Sequence, residues 1–273
     1  MNLLILDNDE CLGYFGFISN MYGILLGNHF LSKKIEKTDR NRILAEKLFI
    51  KFSIDLLNIG FARPNLSELF HMIKDLKQDK IVHYVIMYTS ASRNDDKSET
   101  PYVNWVRMLR KIFEKYSRQY KPEIPLYDID HSGRSDENPP RMSRDGATQK
   151  SVDVVVKRLG LLPEKIENVI FMDDRTENIY KWEEKKLVRL RVTQYFHLPE
   201  YKKVFDLCEK YDKSFNSLGL VKPSDYAKKC YDEEVEDMQS ENKQVGGNPT
   251  DNDGLDNLQL AKTYKTLFTK KNT

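Results

Sequence analysis

Cysteine is scarce in this chain: Cys11, Cys208 and Cys230 are the only three among 273 residues. An odd number with no repeating spacing argues against a disulfide framework and against a zinc site. It is the usage expected in a reducing, intracellular compartment. Long apolar runs are also missing. No stretch approaches the roughly 18 uninterrupted apolar residues of a membrane span, so no membrane partner is expected. The apolar run at the N-terminus has no basic residues before it and breaks early at Asp7-Asn8-Asp9-Glu10, so it reads as a strand and not as a signal peptide. Charge of one sign is lacking too. The 44 Lys and Arg residues against 42 Asp and Glu leave a net +2, which offers no bulk electrostatic capture of nucleic acid or of an anionic membrane. No internal repeat is visible.

What is present suffices for a core. Hydrophobic residues make up 40% of the chain, enough for one large or two modest domains. Short apolar runs at 3–6, 82–88 and 168–172 read as buried strands, with a shorter one at 188–192. Between them lie segments with apolar residues at helical spacing: 43–59, 66–76, 103–116, 148–159 and 201–211. Pro64 suits a start for the second of these, and Gly160 closes the fourth. Alternating strands and helices predict an α/β fold, a Rossmann-like parallel sheet sandwiched by helices. Residues 11–62 form a small insertion after the first strand, a candidate cap over a site, and the basic run 33–42 within it reads as solvated surface. The proline-rich stretch 120–142 reads as loop. The core then spans 1–220. Residues 221–273 form an acidic, largely disordered tail, most polar over 231–256, with a short helical pattern at 255–268.

The residues that carry chemistry sit at the ends of these strands. Asp7 and Asp9 close the first run and, in an extended chain, point the same way. Two like charges that close are costly unless a cation or a shared proton relieves them. Taken alone, the pair reads equally well as an exposed acidic turn. The second strand ends at Thr89 and Ser90, hydroxyls able to hold a phosphate, although small polar residues also make ordinary turns. Lys150 falls in the first turn of a predicted helix, where the helix dipole disfavours a cation. The strand at 168–172 ends in a second acidic pair, Asp173-Asp174. Strand ends in a parallel sheet converge on one edge, so the four signals belong to one site.

With these motifs in order, the chain resembles the haloacid-dehalogenase-like superfamily of phosphotransferases over residues 1–195. Leu6-Asp7-Asn8-Asp9-Glu10-Cys11 resembles its first motif, Tyr88-Thr89-Ser90 its second, Lys150 its third and Phe171-Met172-Asp173-Asp174 its fourth. Arg63-Pro64 ahead of a helix leading to Thr89-Ser90-Ala91-Ser92 is similar to the branch of RNA polymerase II C-terminal-domain phosphatases. Cys11 departs from the Thr or Val usual in the first motif. The resemblance implies a Mg²⁺-dependent phosphatase acting on a phosphomonoester, small or on a phosphoprotein, through an aspartyl-phosphate. Asp7 would be the nucleophile and Asp9 the proton shuttle. Asp7, Asp9, Asp173 and Asp174 would hold the metal, with Asp174 favoured over Asp173 for direct contact. Thr89, Ser90 and Lys150 would hold the phosphoryl group. The alternatives are a binding protein on the same fold without activity, and a nucleic-acid end-processing phosphatase.

Overall fold

The computed structural model describes residues 1–33, 39–91, 104–118, 121, 123–133, 149–180, 182–183 and 185–240. Ser92, Val103, Arg134, Arg141, Thr148, residues 34–38 of the run 33–42 and the pattern at 255–268 therefore lie outside the described residues. In chain order the strands and helices are β1 (Asn2–Leu6), α1 (Gly16–Tyr22), α2 (Asn28–Ser32), α3 (Arg40–Leu56), α4 (Leu66–Gln78), β2 (Tyr84–Thr89) and α5 (Trp105–Ser117). They continue with β3 (Ile129–Ser132), α6 (Val152–Arg158), β4 (Asn168–Asp173), β5 (Leu187–Arg191), α7 (Tyr201–Asn216) and α8 (Ser224–Ser240). The five strands form one sheet in the order β3-β2-β1-β4-β5, and every pairing is parallel. The fold is α/β, with helices against the sheet on both faces.

β1 is buried along its whole length because both faces of the central strand are covered. Leu4 and Leu6 face the larger core, shared with residues of α1, α3, α4, α5, α7 and α8. Leu3 and Ile5 face a smaller one, built with Val152, Val155 and Val156 of α6. The chain winds outward from β1 through β2 to β3, then returns to the other side of β1 for β4 and β5. The crevice past the ends of β1 and β4 is thus the switch point where ligands bind in open α/β sheets.

Four expectations need correcting. β3 lies inside the stretch read as loop. Ile129-Asp130-His131-Ser132 has no apolar run, because an edge strand takes polar residues that a central strand cannot. Lys150 is not in the first turn of a helix: α6 begins at Val152, and Lys150 instead makes a parallel bridge with Ile179. Pro64 likewise precedes α4, which starts at Leu66 after Asn65 in a left-handed conformation (φ 60°). The fourth concerns the region read as a disordered acidic tail from residue 221. Its part at Ser224–Ser240 is helix α8, packed on α1 and α7. Ala227, Cys230, Tyr231, Glu234 and Met238 are buried, a stripe at helical spacing, while Asp232, Glu233, Glu236 and Asp237 point outward or along the rim. Composition hid a helical period in which every acid except Glu234 lies off the buried stripe. The described residues of 11–62 are built into the helical layer, with α3 against α5 and α7, and α1 against α8.

The α1–α8 contact is close. A Cβ on Gly16 would lie 2.1 Å from Glu234 Oε2, so only glycine admits this approach. Asn20 Nδ2 donates to Glu234 Oε1 at 2.9 Å, and the Tyr14 hydroxyl also donates to Glu234. Burial pushes the Glu234 carboxyl up to about 7, the Tyr14 hydrogen bond opposes this, and Asp237, Asp9 and Glu233 add to it. The folded state therefore binds this proton more tightly than the unfolded chain. The stability that follows is fully present below the ordinary carboxyl range and is lost as pH rises towards 7. Glu234→Gln is expected to flatten this dependence. At roughly 1.4 kcal/mol per pKa unit, wild type should lose about 2–3 kcal/mol more than the variant between pH 4 and 8, read from urea denaturation of both proteins at the two pH values. Parallel losses would show that Glu234 ionises in the fold as it does in water.

Candidate active site

β1 ends at Leu6, and the backbone N–H of Asp7 still donates to the Met172 carbonyl (3.0 Å), so Asp7 is held in line with β4. Asn8 turns away from Asp7. It is buried, and its Oδ1 accepts from the Tyr127 hydroxyl at 2.9 Å on the opposite side of the strand. Asp7 and Asp9 consequently both line one cavity of about 250 Å³. Past them Glu10 takes a left-handed φ of 61°. The turn is closed by Leu12 N–H to the Asn8 carbonyl and Glu10 N–H to the Gly13 carbonyl, both 2.8 Å. Buried Arg63 clamps this turn by donating to the Glu10 carbonyl (3.1 Å) and to the Thr193 carbonyl, with its guanidinium 5.3 Å from the centre of the Tyr195 ring.

The same cavity is lined by Thr89, Ser90, Lys150, Asp173 and Asp174, so every sequence-predicted site residue reaches it. It is also lined by Glu10, Arg175 and Asn178, which sequence reasoning passed over. Lys150 is fixed through its backbone: its N–H donates to the Asn178 carbonyl (2.9 Å) and its carbonyl accepts from Tyr180 (2.7 Å). Its Nζ lies 2.7 Å from Asp7 Oδ1 and 2.7 Å from Asp173 Oδ2, joining the ends of β1 and β4. Asp173 Oδ1 accepts from the backbone N–H of Arg175 at 2.8 Å. Asp174 accepts from Gln194 Nε2 at 2.8 Å and from the Cys11 thiol, 3.7 Å away. Gln194 also donates to Glu10 Oε2 (2.9 Å). Gln194 was missed because it lies three positions past the end of β5, whereas Thr89 drew notice as a hydroxyl directly at a strand's end. Thr89 is buried, and its Oγ1 accepts from the Ala91 N–H (3.0 Å), which leaves the hydroxyl proton to donate into the cavity.

The electrostatics follow from burial. Burial raises the Asp7 carboxyl well above its ordinary range, Lys150 opposes, and Asp173 and Asp174 raise it further. Asp9 is open to the cleft by surface area but stands on its concave floor, surrounded by protein. Desolvation brings it up to about 6, against a hydrogen bond from the Phe15 N–H and the charge of Lys150. Burial would lower the Lys150 ammonium, but Asp173 and Asp7 outweigh it and hold it above its usual range, fully charged. Burial and then the neighbouring carboxylates push the Cys11 thiol up, so it stays protonated.

Five carboxylates line the cavity against two cations, Lys150 and Arg175. Such an excess suits a bound cation and repels a phosphate dianion without one. One carboxylate oxygen each of Asp7 and Asp174, with Cys11 Sγ, lie within 4.8 Å of one another and could hold a metal ion. Asp173 is outside that group and engages Lys150 instead. A protonated thiol is a poor ligand for a hard cation, so the oxygens of Asp7 and Asp174 are the donors of this group that suit one. A comparison with known protein families, with curated proteins and with solved structures finds no match to this chain.

Lys150→Met is expected to destabilise the fold by roughly 3–5 kcal/mol, since it leaves Asp7 and Asp173 buried without their cation. Adding Asp173→Asn should recover part of the loss. Denaturation midpoints of the single and double variants check this, and equal loss in both would break the link between the two residues.

Proposed function

We propose that this chain is a Mg²⁺-dependent phosphatase of the haloacid-dehalogenase-like superfamily that hydrolyses a phosphomonoester through an aspartyl-phosphate on Asp7. The observation that carries the reading is the convergence of four separate segments on one cavity, with Lys150 between Asp7 and Asp173. Asp7 is the nucleophile: one carboxylate oxygen attacks phosphorus while the bond from phosphorus to the leaving oxygen breaks. The contact with Lys150 favours the ionised carboxylate this needs. Asp9 gives a proton to the leaving oxygen, and its raised carboxyl range keeps that proton available near neutral pH. Asp9 then takes a proton from the water that attacks the phosphoryl group, which releases phosphate and restores Asp7. The Thr89 hydroxyl donates to a phosphoryl oxygen, with Ser90 beside it at the mouth. Lys150 balances charge in the transition state. Asp7, Asp174 and the backbone carbonyl of Asp9 would hold Mg²⁺, which would supply further neutralisation of the clustered oxygens.

None of the described residues of 11–62 lines this cavity, which supports a mouth that admits a phosphorylated protein side chain as well as a small ester.

Asp7→Asn is expected to lower turnover of an aryl phosphate on the order of 10³-fold or more, and chelation of the divalent ion should do the same. Asp9→Asn should cost about 10²–10⁴-fold on an alkyl phosphate such as phosphoserine, and far less on an aryl phosphate, whose leaving oxygen needs no proton. Steady-state rates with both substrates check the pair. Turnover that survives Asp7→Asn would sink the mechanism.

A further inference from the structure

A second cavity, of about 770 Å³, lies between α3 and α5 and shares no residue with the catalytic one. Its floor is aliphatic, made by half-buried Ile50 and Ile54 one helical turn apart on α3. Its rim is cationic. Lys47 and Lys51 stand on the α3 side. On α5 the cations are Arg107, Arg110, Lys111, Lys115 and Arg118, one stripe that at 1.5 Å per residue runs about 16 Å. Among the described residues only two acids line the groove, and both are turned to other work. Glu114 accepts the backbone N–H groups of Leu126 and Tyr127 (2.8 and 2.7 Å). Asp130 faces Arg110 at 3.4 Å and Arg158 at 3.9 Å. Lys111 reaches Glu46 at 2.7 Å. Lys47, Lys51, Arg107, Lys115 and Arg118 are exposed, and none makes an ion pair with another described residue.

Helix stability accounts for part of this stripe. Lys115 and Arg118 sit at the C-terminal end of α5, where the helix dipole favours cations. Arg107 sits in the first turn, where the dipole disfavours one, and its own N–H already takes the Asn104 cap at 2.9 Å. Its charge does nothing for the helix that carries it. We propose that the α3–α5 groove is a docking site for an acidic, amphipathic segment of a partner protein, whose aliphatic side chains seat on Ile50 and Ile54 while its carboxylates or phosphates meet the cationic rim. The charge of the rim selects an anionic partner. The aliphatic floor selects a peptide over a nucleic acid, because among the described residues no aromatic side chain lines the groove for a base to stack on. Three turns of helix, or about five extended residues, match the stripe.

The test is fluorescence anisotropy on the full chain, with a labelled peptide of about a dozen residues carrying Leu at two positions one helical turn apart and Glu at most others. Binding is expected to weaken about tenfold or more in Lys51→Glu/Arg107→Glu, and by a similar factor when the peptide's Glu residues become Gln or its Leu residues become Ser. It should also weaken as salt rises. Both substituted residues are exposed, and circular dichroism establishes that the variant folds. If it does not, Lys51→Gln/Arg107→Gln carries the same test with a smaller expected loss. A peptide that binds the variant as well as wild type, a Gln or Ser peptide that binds as well as the Glu-Leu one, or a single-stranded oligonucleotide of equal charge that binds more tightly would each overturn the proposal.

Discussion

Neighbouring parallel strands lie about 4.8 Å apart, so acids placed at the ends of β1 and β4 are forced within a few ångströms of each other. Asp7 and Asp173 are both buried there, and the single ammonium of Lys150, 2.7 Å from each, makes their proximity tolerable. The rest of the crevice depends on this contact. Lys150 is held at its backbone by Asn178 and Tyr180, so its position belongs to the sheet edge and not to the helix that follows. Arg175 cannot replace it, because it is about half exposed and lies against Asp174 and Glu10 at 3.4–3.5 Å. One buried cation thus orients three elements at once: the end of β1, the end of β4 and the entry to α6.

The turn after β1 answers the same problem by sorting side chains. Asp7 and Asp9 go to the cavity, while Asn8 goes to Tyr127 in the opposite direction. This alternation would fail if the chain coiled directly into a helix after Asp7. Arg63 and the left-handed Glu10 keep the turn in place, and Gln194 ties Glu10 to Asp174 across the mouth. The polar groups around the cavity are therefore cross-braced by residues from four parts of the chain. An active site gains accuracy from bracing of this kind, since its groups need no rearrangement during reaction.

The parts legible in the sequence were those where one residue class had to dominate. β1, β2 and β4 are central strands, apolar on both faces, and they stand out as continuous runs. The acids and hydroxyls at their ends were visible because they interrupt such runs. β3 was illegible because an edge strand can carry Asp130 and His131, and α8 because its acids mask a stripe containing Glu234 itself, a buried acid that reads as exposed. Cys11 looked like a poor fit to its motif. In space its thiol lies against Asp174, a contact between residues 163 positions apart that no local pattern records.

A net charge of +2 argued against bulk electrostatic capture of nucleic acid or an anionic membrane, but a sum over the chain says nothing of local patches where charges are segregated. Here they are segregated. Among the described residues the cavity at the strand ends collects five acids against two cations, and the α3–α5 groove seven cations against two acids. The two patches nearly cancel in the sum while each stays strong at its own surface, because screening over about 8 Å at physiological salt lets a ligand sense only the patch beside it. A sum over the chain is blind to this. The stripe from Arg107 to Arg118 is visible only once α5 is wound at 3.6 residues per turn and laid beside Lys47 and Lys51.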